Sequence, residues 1–170
     1  MTLTTDQLKS ISNQVLGSMR SLPSASLAGM LRMKDYHGFG NSEFPDYFIE
    51  PIIRPFNAVL KEVEIRLIHV STDLSKEIHL HKAATAYITV LGPKTHLPGP
   101  VHAFAYLKGK WFPVSEDDTL EIPQCTPHGF TIRGNGDLYF LSVQSPPLID
   151  EEGNDDYHLV DMMDIVLDDE

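Results

Sequence analysis

Apolar residues change their period twice along this chain. Leu8, Ile11, Val15, Leu16 and Met19 recur every three or four positions, which is the spacing of one helical face; Thr4 or Thr5 can cap this helix and Leu22-Pro23 stops it. A second short helix is predicted over 26–34, ahead of the turn-rich Gly38-Phe39-Gly40-Asn41-Ser42. From Phe48 onward the period falls to two. Val63, Ile65, Leu67 and His69 alternate with Glu62, Glu64, Arg66 and Ile68, the pattern of a half-buried strand with the first set facing inward. Further strands are predicted at 77–80, 86–91, 101–107, 111–114, 119–122, 129–132 and 138–143, at intervals typical of an all-β sandwich or barrel. Pro51 and Pro55 confine 48–56 to an edge strand or an irregular segment. Lys108-Gly109-Lys110 and Arg133-Gly134-Asn135-Gly136-Asp137 read as hairpin turns. Helical spacing returns in Leu159, Met162, Met163 and Val166, with Asp155 and Asp156 where a helix N-terminus favours negative charge, so a packed C-terminal helix is expected.

A chain of 170 residues has room for one hydrophobic core of ordinary size. It divides into a helical appendage at 1–45, a β domain at 46–148 and an acidic helix or tail at 149–170. Charge sharpens this division. The whole chain carries -11, but ten of its 24 acids lie between Asp150 and Glu170, so the body is nearly neutral. Without a basic stripe, nucleic acid and anionic membranes are poor partners, and a small-molecule ligand is expected instead. The start has neither the basic nor the apolar region of a signal peptide and no run reaches membrane-spanning length, which predicts a soluble, cytoplasmic protein. Cys125 is the only cysteine, which excludes an intrachain disulfide and a Cys₄ zinc site. The apolar faces of the first helix and of the tail exceed what the β domain needs for cover, and a homodimer is predicted.

The chemistry points to histidine. Of eight histidines, His79 and His81 stand at i and i+2 in a β-type run, on one strand face and about 7 Å apart along the chain. That spacing suits two ligands of one cation, although histidines on such strands are more often hydrogen-bonded core or surface residues. His128 follows Pro123-Gln124-Cys125-Thr126-Pro127 and supplies a third candidate. His69 and His102 are further candidates for the same cavity, against an ordinary core role.

These two segments resemble the two motifs of the cupin superfamily. His79 and His81 fit the HxH of the first, and the run Tyr87-Ile88-Thr89-Val90-Leu91 leads to Gly92 at its closing glycine. Asp117 to His128 reproduces the spacing of the second, with Pro123 and His128 in register. The motifs' other glycines fall on Asp73, Asp117 and Cys125, and the family's metal-binding Glu falls on Thr85, or on Ala86 after a slip of one residue. The resemblance spans roughly 60–143. It implies a mainly β fold, a single cupin-type β-barrel (double-stranded β-helix or jelly roll) flanked by the helices.

It also implies one divalent transition metal on His79, His81 and His128, with Fe(II) favoured and Zn, Ni, Mn or Cu open. Three neutral imidazoles suffice for such an ion, and without the Glu the site keeps its full charge for an anionic or bidentate ligand. Three-histidine cupins that lack the Glu include iron dioxygenases acting on thiols or diketones, and that activity is the leading expectation. A non-catalytic binder or sensor and a metal-independent sugar isomerase or epimerase are the alternatives. Thr85, Tyr87, His102 and Tyr106 are the candidate substrate-binding residues. His96 lies in a Gly- and Pro-rich stretch, 92–100, expected as a loop at the barrel mouth. Cys125 is expected as a small, partly buried thiol.

Overall fold

The computed structural model describes residues 2–21, 47–51, 62–71, 78–95, 99–148 and 155–160. The N-terminal helical period forms α1 (Thr5–Ser21). Thr4 and Gln7 build a reciprocal capping box: Thr4 Oγ1 accepts the Gln7 N–H at 3.3 Å and Gln7 Oε1 accepts the Thr4 N–H at 2.8 Å. Leu8, Val15 and Leu16 of the predicted stripe are buried, as is Ser12, whose hydroxyl meets that of Thr89 at 3.2 Å. The second predicted helix lies outside the described residues.

The period-two segments become β1 (Tyr47–Pro51), β2 (Glu64–Ser71), β3 (His79–Leu80), β4 (Thr85–Thr95), β5 (His102–Leu107), β6 (Lys110–Val114), β7 (Thr119–Ile122), β8 (His128–Arg133), β9 (Gly136–Ser145) and β10 (His158–Leu159). They make two antiparallel sheets, ordered β1-β2-β9-β4-β7 and β10-β3-β8-β5-β6. One core lies between them, where Ile68, Ile88 and Phe140 of the first sheet meet Ala105, Phe130 and Ile132 of the second. A second cluster forms on the outer face of the first sheet, where Leu8, Val15 and Leu16 of α1 cover Tyr87, Leu141 and Val143. Each fully buried Leu or Val there contributes about 1.5–3 kcal/mol of transfer free energy. Buried on both faces, the central strand β9 is covered at every position.

This two-sided burial changes the reading of β2. Val63 and Ile65, expected to face the main core, pack under α1, and Arg66 and Ile68 turn into the space between the sheets. The alternation holds, but its polar face goes from exposed Glu62 through half-buried Glu64 to Arg66, which is buried.

Lys108 and Gly109 make the predicted hairpin, with φ of 54° and 87° as a two-residue type I′ turn requires and Leu107 paired to Lys110. The other predicted hairpin is instead a corner, because β8 and β9 belong to different sheets. Gly134 is required at that corner: a Cβ would lie 2.3 Å from the Pro100 carbonyl oxygen. β4 continues past Leu91 through a bulge between Val90 and Pro93, so residues 92–95 are strand rather than loop, and His96 lies outside the described residues. β1 takes the edge position that its proline predicts.

The C-terminal expectation is corrected where the chain is described. Residues 155–160 are extended rather than helical, and β10 pairs with β3. The edge of β3 away from β8 needs backbone partners, and this segment supplies them. Met162, Met163 and Val166 lie outside the described residues. No helix among the described residues is long and apolar enough to cross a membrane.

Candidate metal centre

The two residues of β3 are held between β8 and β10, and that register builds the site. His79 stands directly opposite His128 on one side and Leu159 on the other. Directly opposed residues bring their Cβ atoms to about 4.5–5.5 Å. His81 follows two positions on, and the Cys125 N–H donates to its carbonyl at 2.6 Å, tying the turn before β8 to the end of β3. The ring centroids of His79 lie 4.2 Å from His128 and 5.1 Å from His81, with 5.0 Å between His81 and His128. One ligating nitrogen from each ring lies within 4.8 Å of the others.

Asp117 and Cys125 occupy two of the motif's glycine positions with φ of 69° and 57°, left-handed conformations that cost a non-glycine residue about 1–2 kcal/mol. Cys125 is exposed, not partly buried as expected.

Hydrogen bonds fix two tautomers. His81 Nδ1 lies 2.6 Å from the Asp156 carbonyl oxygen and His128 Nδ1 lies 2.9 Å from that of Thr126. A carbonyl only accepts, so each Nδ1 donates and each Nε2 keeps its lone pair. Burial pushes the His79 pKa well below its ordinary value, and His128 and His81 push it further. His128 is lowered to about 3, mainly by burial and then by His81, against the Thr126 hydrogen bond. Burial also lowers His81, although the Asp156 carbonyl opposes the shift. All three imidazoles are therefore neutral near pH 7, the form that ligates.

The C-terminal segment completes this wall. Asp156 accepts backbone N–H bonds from Lys82 and Ala83, both at 2.8 Å, and from Ala84 at 3.0 Å, closing the turn after His81. Burial would raise the Asp156 pKa, but those N–H groups and His81 outweigh it and hold the carboxyl below its usual range. Tyr157 stacks on His79 at 4.1 Å between centroids and 22° between planes. Sequence reasoning missed this strap, whose one trace is that Tyr157 is the only aromatic residue in the acidic tail.

The opposite wall is made by the first sheet. Register aligns Glu64, Gln144 and Ala86 in one cross-strand row and Arg66, Ser142 and Ile88 in the next. Arg66 pairs with Glu64, whose Oε2 accepts Gln144 Nε2 at 2.9 Å and the Leu148 N–H at 2.8 Å. Ser142 Oγ donates to Gln144 Oε1 at 3.3 Å. The cavity between the walls has about 370 Å³ counted out to its open mouth, and Ile68, Ile88, Phe130 and Phe140 make much of the remaining lining. Arg66, Ser142 and Gln144 were not sequence candidates: Arg66 alternates with apolar residues as a solvent-facing side chain would, Ser142 lies in an otherwise apolar strand, and Gln144 falls beyond the strand predicted at 138–143.

The structure brings His79, His81 and His128 together at this cavity, and places the four substrate-binding candidates elsewhere. Thr85 pairs with Ser145, and the neighbouring Ala86 lines the cavity. The parity of β3 does not carry through the 82–84 turn, because β4 belongs to the other sheet. Tyr87 packs under α1, His102 is exposed, and Tyr106 meets Trp111 at 5.4 Å. On β5 it is Ala103 and Ala105 that face the core. The His69 side chain lies outside the description.

No protein-family model matches the sequence, and no curated protein matches it. Solved structures do match its fold. A putative sugar phosphate isomerase from Acidithiobacillus ferrooxidans aligns with a TM-score of 0.54 and 21% identity over 88% of this chain and 97% of its own. The polyketide cyclase RemF from Streptomyces resistomycificus aligns at 0.51 and 20% identity over 71% of this chain and 75% of its own. An uncharacterised protein with a double-stranded β-helix domain from Klebsiella pneumoniae aligns at 0.46 and 18%, over 59% and 76%. The chain shares the overall fold of the first two, here two facing antiparallel sheets, and carries a three-histidine cluster able to hold a metal ion. Identity at this level fixes the fold and leaves the chemistry to the site.

Proposed function

We propose that this protein is a mononuclear metal-dependent enzyme that binds one divalent transition metal through His79, His81 and His128 and acts on a small anion in the adjoining cavity. Fe(II) and dioxygenase chemistry on a thiol or diketone-like anion are the specific form of this reading. The observation that carries it is the convergence of three buried, neutral imidazoles on one cavity, two of them locked with Nε2 available. The donor set fits a borderline divalent ion and leaves coordination positions open. Ala86, on which the cupin pattern's Glu falls after a slip of one residue from Thr85, lines the cavity, and no Asp or Glu is among the described residues lining it, so the ion's charge is not cancelled there.

When bound, such an ion supplies Lewis acidity and, as iron, one-electron chemistry with dioxygen. The protein's own residues do the rest. The Thr126 and Asp156 carbonyls orient two imidazoles, and Tyr157 covers the face of the third. Ile68, Ile88, Phe130 and Phe140 form the apolar part of the lining, which strengthens charge interactions beside them.

Oxygen uptake by iron-loaded protein with small thiols and diketones tests the reading. Uptake that disappears in His79→Ala is the expected result. Turnover indifferent to His79→Ala would instead mark a metal-independent isomerase, and ligand binding without turnover a binding protein. The homodimer belongs to the same reading, and sedimentation at micromolar concentration tests it.

A further inference from the structure

The strap behind the histidines is held differently from the rest of the fold. Residues 155–160 belong to neither apolar cluster, none of their side chains is fully buried, and Leu159 is 54% exposed. Polar contacts hold them instead. The Asp156 N–H donates to the Leu148 carbonyl at 2.8 Å and the Val160 N–H to that of Ile78 at 2.9 Å, while the Asp156 carboxylate accepts the amides of the 82–84 turn. A segment with so little apolar burial opens at far less cost than the sheets on which it lies. Two of its remaining contacts fall on the ligand set itself: the Asp156 carbonyl accepts from His81 Nδ1 at 2.6 Å, and Tyr157 stacks on His79 at 4.1 Å. An ion on these imidazoles withdraws electron density from both rings. The Nδ1–H of His81 then becomes a charge-assisted donor, and the electron-poor ring of His79 is better matched to the face of Tyr157. A third link runs through the backbone, because His79 is paired between His128 and Leu159.

We propose that residues 155–160 form a metal-dependent clasp: an ion on His79, His81 and His128 holds the strap docked, and loss of the ion releases it. This rests on the metal reading above and adds a conformational consequence to it. Partners that orient a metal-bound imidazole change metal affinity about 10–100-fold, and linkage requires the ion to shift strap docking by the same factor. Tyr157 and Leu148 line the cavity, so release of the strap also opens the cavity beside His79. Occupancy of the site is thereby converted into exposure of a defined segment.

Amide hydrogen exchange of zinc-loaded and metal-stripped wild type tests the proposal, with metal content measured on the same samples. Loading is expected to slow the Asp156 and Val160 amides about tenfold or more beyond any change in α1, which lies on the other sheet. Strap and α1 amides slowed alike, or neither slowed, in protein that carries its zinc overturns the clasp and leaves the metal reading standing. Wild type that takes up no metal overturns the metal reading, and the clasp with it. The Asp156→Ala/Val160→Pro double variant removes two anchors of the strap without removing a group bonded to the ligand histidines. It is expected to leave the strap amides unprotected and to weaken zinc affinity about tenfold in competition with a chelator. Undiminished zinc affinity in the folded variant overturns the clasp, and if that variant does not fold, exchange in wild type decides alone.

Discussion

The two walls of the cavity come from the same period-two alternation, yet only one of them is legible as a wall. On β3 and β8, His79, His81 and His128 stand out because imidazole on an inward strand face is chemically conspicuous. On β2 and β9, Arg66, Ser142 and Gln144 are polar residues on faces that also carry Ile68, Leu138 and Phe140, so they do not stand out as a set. Both faces of these strands carry apolar residues, and α1 covers Ile65, Leu141 and Val143 on the outer one, which leaves the polar residues of the other face between the sheets. Alternation tells which residues share a face. A covering element decides which face is the inside.

The strongest way to break this comparison is to uncouple the polar wall. Arg66→Met alone leaves the half-buried Glu64 without its cation and is expected to destabilise the fold by about 2–3 kcal/mol, whereas adding Glu64→Gln should recover most of that loss. Urea unfolding of the two variants checks this. Equal stability in both would mean that the pair is solvated and not part of a closed wall.

The histidine wall predicts a pH effect of definite sign. His79, His81 and His128 all have pKa values below 6.5 in the folded protein, so beneath that pH the unfolded chain takes up protons that the folded chain refuses. Stability of the metal-free protein is therefore level above about pH 7. It falls on acidification by about 1.4 kcal/mol per pH unit for each ring that stays neutral. For His128 the loss ends only near its folded value of about 3. Denaturation at pH 5, 6 and 7 should show this slope, reduced by about one proton in His128→Gln. A flat profile would mean that these rings are not buried as neutral species.

The strap behind the histidines gives a smaller effect. Asp156→Ala removes the acceptor of three backbone N–H groups and should cost about 1–3 kcal/mol, with weaker metal retention as the 82–84 turn loosens beside His81. Unchanged metal affinity at reduced stability would restrict the strap to a structural role.

How much was readable follows from these particulars. The first helix, most of the strands and the three histidines are set by local periods and by motif spacing, which a sequence displays directly. Gly92, Asp117 and Cys125 all take positive φ although only one is glycine, so the spacing marked backbone turns that residue identity did not. Thr85 was misplaced because counting parity from His79 assumes one continuous strand, and the turn at 82–84 moves the chain to the other sheet. The tail misled for a different reason: Leu159 suits a helical stripe, but the open edge of β3 gives that segment backbone partners that local pattern cannot show.

That parity error supplies the finest test of the comparison. Ala86→Glu places a carboxylate at the cavity and should tighten metal retention about tenfold, whereas Thr85→Glu, one residue away on the other face, should leave it unchanged. Competition with a chelator reads the difference, and the reverse order would contradict the assignment of the two faces of β4.

The central claim is that His79, His81 and His128 together hold one divalent metal. Metal analysis of untagged protein, produced with iron, zinc, nickel, manganese and copper supplied, tests it directly when repeated on the triple variant His79→Ala/His81→Ala/His128→Ala. The account predicts about one equivalent per wild-type chain and almost none in a folded triple variant. Equal metal in both proteins, or none in wild type under any of these conditions, would contradict it.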